Sequence, residues 1–162
     1  MTQKKSQHEL IDENLLESKE MFKIIFDNSP TAITVTDSNE CIVAWNSMAE
    51  KMLGMDGQQL FNKPVKDLYS PEEWSRIRSL DIRKKGILSD INTFVIRADG
   101  TSLEINASIS VLKNKAGKII GSIGIMYDIS KQKTVEKELI NAKMAAEEAN
   151  HAKSVFLAKM SH

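Results

Sequence analysis

The spacing of apolar positions changes twice along the chain and divides it into three zones. From about Gln3 to Asn28 the sequence is charged and free of glycine and proline, and Ile11, Leu15, Phe22 and Ile25 recur at intervals of four, seven and three. Such spacing predicts one helix with a single apolar stripe. Asn28-Ser29-Pro30 ends it, because a residue before proline is pushed out of helical torsions. From Thr31 to Asp128 short β-rich runs alternate with turn residues. TAITVTD and CIVAW, joined by SNE, predict a hairpin. Asn46 has the chemistry of an N-cap for SMAEKMLG, and Gly54 that of its stop. A loop through FNKPVKDLYS leads to PEEWSRIRSLDIRKKG, which reads as one helix with acidic residues at its start and basic residues at its end, as the helix dipole favours.

Three strands follow in the prediction: INTFVIR, TSLEINASISVL and KIIGSIGIMYD, with turns at Asp99-Gly100 and at NKAG of residues 114–117. In the second of these, Leu103, Ile105, Ala107 and Ile109 alternate with polar residues, so one face is packed. The last strand is apolar on both sides, which predicts a central strand covered on both faces, with the N-terminal helix as the element lying across the back. Gly121 and Gly124 thin this strand, either leaving space or allowing close packing. From Ser130 onward there is no glycine or proline and much alanine, lysine and glutamate, the composition of a long helix of roughly 45–50 Å at 1.5 Å per residue. Val135, Leu139, Ala142, Ala146, Ala149, Phe156 and Met160 form a four-three seam, interrupted at Lys153. Nothing else in the chain is left to cover that seam, which predicts a parallel coiled-coil homodimer.

Composition narrows the functional classes. With 22 basic and 22 acidic residues among 162, the chain offers no cationic field for nucleic acid or anionic lipid. A single cysteine, Cys41, forms no intrachain disulfide, and its setting in CIVAW predicts a buried strand thiol in a reducing, cytoplasmic compartment. No apolar run reaches the roughly 20 residues that span a bilayer, so any membrane anchor of the parent protein lies outside this segment.

Two strands, short helices and three further strands make an α+β architecture, and several motifs sharpen it. AWNSMAEKMLG, KPVKDL, RADGTSLEI and GSIGIMYDIS, in that order, resemble the signatures of the PAS domain, the last ending on the Asp-Ile-Ser of Asp128, Ile129 and Ser130. The resemblance implies a five-stranded antiparallel sheet with helices on one face. The domain reading is an N-terminal cap or dimerisation helix at 1–28, a PAS sensor at 29–130, and a coiled-coil linker at 131–162. EEANHAKSVFLAKMSH is similar to the first dimerisation and phosphotransfer helix of sensor histidine kinases, whose H-box commonly reads FLAxMSHEIRTP, and the chain stops at the histidine. That likeness makes His162 the phosphoacceptor, its neutral imidazole attacking the γ-phosphate of ATP. It also implies a downstream ATP-binding kinase domain and a response regulator receiver as partners. This chain carries no Gly-rich ATP-binding box of its own. His8 and His151 have no such motif and read as solvated helix positions.

Within the resemblance, Asp128, Ile129 and Ser130 form the joint between sensor and output, where a side-chain oxygen can cap the long helix, with Arg97 as an ionic partner for Asp128. Ile33, Val35, Val95, Ile105, Ala107, Gly124 and Met126, with Trp74 on the helical wall, are the candidate lining of a ligand pocket; a filled core is the equal alternative. No metal ligand set is legible, and with no histidine between His8 and His151 a histidine-ligated haem in the core is disfavoured. GQQLFNKPV departs from the GxNCRFLQ motif of flavin photoreceptors, and Val95, Ile105 and Met126 stand where those place amides. A small apolar ligand or a non-covalent flavin remains compatible. The functional expectation is the sensory module of a two-component histidine kinase; the alternatives are a PAS adaptor, a module feeding another output, or a flavin redox sensor.

Overall fold

Five antiparallel strands in the order β2-β1-β5-β4-β3 form the frame on which everything else is placed. In this computed structural model, which describes residues 7–161, the chain divides after Asp128 into two units. The first holds α1 (Gln7–Asp27), β1 (Ala32–Asp37), β2 (Ile42–Trp45), α2 (Ser47–Leu53), α3 (Gly57–Leu60), a 3-10 turn (Val65–Leu68), α4 (Pro71–Ser79), α5 (Ile82–Lys85), β3 (Ile87–Ile96), β4 (Ser102–Lys113) and β5 (Ile119–Asp128). The second is α6 (Ser130–Met160), a helix of 31 residues. The PAS fold expected from the motifs is the fold observed.

β5 takes the centre, pairing with β1 on one side and β4 on the other. The first and last strands in sequence therefore meet: Ala32 of β1 pairs with Met126 of β5, and Asp37 with Gly121. Gly121 is obligatory at that crossing, because a Cβ built there would stand 1.9 Å from the carbonyl oxygen of Thr36. One face of the sheet carries the core. Leu53, Leu60 and Leu68, from α2, α3 and the 3-10 turn, are fully buried against Val95, Ile105, Ala107 and Met126. Each such leucine contributes about 2 kcal/mol by leaving water.

The sequence reading is corrected at four places. PEEWSRIRSLDIRKKG is two helices, not one; the break falls at Asp81, whose φ of +53° no helix accommodates. β3 starts at Ile87 rather than Ile91, and its pairing with β4 shifts between Leu88 and Ile91, where Asp90 takes φ +57°. Cys41 is only partly buried and forms an isolated bridge with Pro64 ahead of β2, so it is not a core strand thiol. Finally, α1 does not cover the back of the sheet. None of its residues is buried, Ile11, Leu15, Phe22 and Ile25 are 53–66% exposed in the single chain, and Ile120 and Tyr127 on β5 stay about half exposed.

α1 is nonetheless fastened at its end, by Asn46. This fully buried side chain accepts from the backbone N–H of Ile33 at 2.9 Å and of Ala49 at 3.0 Å, and donates to the carbonyls of Phe26 at 3.0 Å and Thr31 at 2.8 Å. One amide thus caps α2, holds β1 and satisfies the last turn of α1, using its two donors and both acceptor positions. Ser47 adds a bond from its hydroxyl to the carbonyl of Asp27 at 2.8 Å. Asn46→Ala is expected to strand these groups and lower unfolding stability by about 3 kcal/mol, and Gly121→Ala to cost about as much by forcing β1 and β5 apart. Urea unfolding checks both; a loss below about 1 kcal/mol in either would contradict the geometry.

Candidate functional site

Between the core face of the sheet and α4 lies a cavity of about 70 Å³. Its sheet wall is built from every second residue of three strands: Thr34 and Thr36 of β1, Ala107 and Ile109 of β4, and Ser122, Gly124 and Met126 of β5. Cross-strand register explains the set, since Thr34 faces Gly124 and Ile109 in one row, and Thr36 faces Ser122 in the next. Val65, Leu68 and Tyr69 form a second wall, and Trp74, Ile77, Arg78 and Ile82 a third. Gly124 opens the space, because a Cβ there would come within 3.2 Å of Thr34 Oγ1.

Four of the predicted lining residues, Trp74, Ala107, Gly124 and Met126, stand at the cavity. Val95 and Ile105 are buried in the neighbouring core and do not reach it. Ile33 and Val35 are a correction: β1 buries Ala32, Thr34 and Thr36, so the two aliphatics are on the opposite face of the sheet. Apolarity gave the wrong phase for this strand. The signal that finds the right one is pairing with β5, which sets Thr34 opposite Gly124 and Thr36 opposite Ser122, whose hydroxyl it bonds.

The cavity is apolar along its length and polar at one end. Thr36 Oγ1 and Ser122 Oγ lie 2.8 Å apart, and the backbone N–H of Ser122 donates to Thr36 Oγ1 at 3.2 Å. Tyr69 and Trp74 stack with centroids 5.8 Å apart, and the Arg78 guanidinium sits 5.2 Å over the Trp74 ring. Burial, and after it the charge of Glu73, pushes the Tyr69 phenol up to about 12, so it stays neutral. Glu40, from the β1-β2 turn, accepts from Arg78 Nη1 at 2.6 Å and from Arg83 Nη2 at 3.0 Å. Burial acts to raise the Glu40 carboxyl, but the bonds and charges of Arg83 and Arg78 outweigh it and hold the group below its usual 4.5. This ion triad left no signature in the sequence, because its members are 38 and 43 positions apart.

A flavin held here would rely on backbone groups for its polar contacts. No side-chain amide lines the cavity. Engineered cavities that admit a single benzene ring run to about 150 Å³, so a three-ring system enters 70 Å³ only if the walls move. Among the described residues no cluster of metal-ligating side chains occurs, and no helix is long and apolar enough to cross a membrane.

Asp128 closes β5 opposite Ile105, whereas Arg97 stands at the β3-β4 turn with its N–H on the carbonyl of Thr101. Four β4 positions separate those partners, about 13 Å along a strand. The N-cap position of α6 is Ile129, which supplies no side-chain cap, and Ser130 is the first helical residue. In α6 no residue of the seam is buried: Val135, Leu139, Phe156 and Met160 are 55, 70, 60 and 71% exposed. His162 lies outside the described residues.

Residues 30–131 match the PAS domain family. The chain is 28% identical over 159 residues to Two-component system protein A of Emericella nidulans, an alignment covering 95% of this chain and 23% of that protein. It is 28% identical over 153 residues to the cell-division control histidine kinase PdhS of Brucella ovis, covering 88% of this chain and 14% of the kinase. It thus spans less than a quarter of either relative. The crystal structure of a PAS domain from Colwellia psychrerythraea superposes with a TM-score of 0.64 at 25% identity, over 72% of this chain and 98% of that one. An RNA-binding light-oxygen-voltage receptor gives the same TM-score at 23% identity, over 93% of this chain and 42% of that one, a likeness of fold alone. With its strand order and the family match in agreement, this chain belongs to the PAS domain family as a sensory module homologous to histidine kinases and two-component proteins.

Proposed function

We propose that this chain is the signal-input segment of a cytoplasmic two-component histidine kinase, in which a ligand or redox signal met by the PAS core is passed through a dimeric helix to His162. The observation that carries the reading is the pairing of a cavity in the sensor with an output helix whose apolar seam is wholly uncovered in the single chain. A 31-residue helix with exposed Leu139, Phe156 and Met160 has too little tertiary packing to account for its own stability, and a parallel second copy would supply it. Alanines at 142, 146 and 149, with Lys153 in the seam, would make that packing weak enough to exist in two arrangements close in energy. The likeness to the two-component relatives runs over most of the chain, which supports reading α6 as part of the same machinery rather than as a tail.

On this reading the chain has an N-terminal helix at 1–28 that joins the dimer, a sensor at 29–130 and a transmitter helix at 131–162. Asp128, Ile129 and Ser130 are the joint at which sheet movement becomes helix rotation, with Arg97 contributing charge at the sensor's side. His162 would take the γ-phosphoryl group of ATP from a kinase domain of the parent protein and hand it to a response regulator. Each step calls for a partner that the parent protein or the cell would provide.

Two measurements test the reading. In the parent protein, His162→Gln is expected to abolish incorporation of the γ-phosphoryl group of ATP in acid-labile form; retained incorporation would leave the chain as a sensor or adaptor with the phosphoacceptor elsewhere. In the chain itself, Leu139→Glu is expected to weaken the dimer about 100-fold or more in sedimentation equilibrium, since an unpaired charge in an apolar seam costs about 3 kcal/mol. A wild-type chain that stays monomeric at every concentration tested would remove the dimeric transmitter.

A further inference from the structure

This inference rests on the reading of the cavity as the ligand site and concerns how that site is filled. A second pocket lies outside the first, lined by Asp37, Ser38, Arg83 and Gly121 among others. Thr36, Glu40, Ile82 and Ser122 line both, so these four residues are the partition between the two pockets. Thr36 and Ser122 belong to the central strands and are bonded to one another. Glu40 and Ile82 are therefore the parts of the partition free of the sheet.

Ile82 is carried by α5, which has four residues and none buried. Positive-φ residues flank it on either side, Asp81 at +53° and Gly86 at +84°. A Cβ at Gly86 would meet nothing within 4 Å, and Asp81 provides no side-chain cap. Such a segment has two backbone joints and little packing to hold it, the features of a local opening unit. Its C-terminal joint is held to β4 by the N–H of Val111 on the carbonyl of Gly86 at 2.9 Å, and its side chains are tied to the β1-β2 turn by Arg83, whose Nη2 donates to Glu40 at 3.0 Å, while Arg78 holds the same carboxylate from α4 at 2.6 Å. The pairs are partly solvated, with the Glu40, Arg78 and Arg83 side chains 31, 44 and 58% exposed, so the tie is weak enough to break and reform.

We propose that Ile82–Lys85 is a flap over the PAS cavity, that Glu40 is its latch, and that the molecule admitted is small and neutral with a single hydroxyl or carbonyl group. The ligand class follows from the walls. At the mouth the Glu40 carboxylate is held by Arg78 and Arg83, and the remaining polar groups of the lining are the hydroxyls of Thr34, Thr36 and Ser122, the Tyr69 phenol and the Trp74 indole N–H, which pair with a neutral group able to donate or accept. Around 70 Å³ leaves space for only a few non-hydrogen atoms.

The test uses 2-propanol as probe and the methionine methyl groups as reporters, with the whole chain labelled at methionine. Met126 lines the cavity, whereas Met52 and Met55 are buried in the core away from it. In the wild type 2-propanol should shift the Met126 methyl saturably and the other two little. By methyl relaxation dispersion, Glu40→Gln and Arg83→Gln should each raise the rates of association and dissociation by about fivefold, the factor an exposed ion pair is worth. Arg83→Gln should leave Kd unchanged, because Arg83 does not line the inner cavity. Salt at about 0.5 M should speed exchange in the wild type and do little in Glu40→Gln. Acetate should produce no saturable shift. Rates unmoved by both substitutions and by salt, with saturable binding intact, would overturn the latch and leave the ligand site standing. Acetate binding as tightly as 2-propanol would overturn the neutral class. Absence of any saturable Met126 shift would bring down the ligand-site reading and the flap with it.

Discussion

The antiparallel pairing of β1 with β5 is the constraint on which the rest of the molecule depends. It joins the first strand of the sensor to the last, and it sets the phase of both. That phase turns Thr34, Thr36, Ser122 and Gly124 toward α4 and so makes the cavity. It also brings Ala32 beside Met126, so the beginning of the sensor and the end of its last strand are neighbours at one end of the sheet. Any disturbance of the cavity wall is a disturbance of the two strands by which the chain enters and leaves the sensor.

Asn46 extends the same logic to α1. Helices usually satisfy their last carbonyls with water, glycine caps or solvent-facing side chains. Here a buried amide from the start of α2 takes the carbonyls of Phe26 and Thr31, while its oxygen caps its own helix. The apolar stripe of α1 contributes nothing to the sensor's core, yet the helix end is fixed to that core by directional bonds. Packing and orientation are thereby separated: Asn46 sets the direction, and the exposed face is left for other contacts.

The fold was legible in the sequence because local and global signals agreed. Strict alternation in TSLEINASISVL announced β4, SNE announced the hairpin, and Asn46 and Gly54 bounded α2 as their chemistry implies. Elsewhere the signals conflicted. In β1 the aliphatic side chains face away from the cavity, since the inner positions oppose Gly124 and Ser122 and accept threonine in their place. Asp81 breaks a helix without glycine or proline, which no propensity argument anticipates. Half of the candidate lining residues were found, and the charged mouth was not, because ion pairs between distant segments exist only once the strands and helices are in place.

Gly121 limits the kinds of motion this sheet can use. The carbonyl of Thr36 sits where any side chain on that residue would begin, and the flanking positions of β5 are Ile120 and Ser122. Were β5 to slip along β1 by a single step, a Cβ would be driven into that oxygen. The central pair therefore cannot slide like a ratchet, and whatever passes across it travels as tilt or twist of two strands moving as one plank.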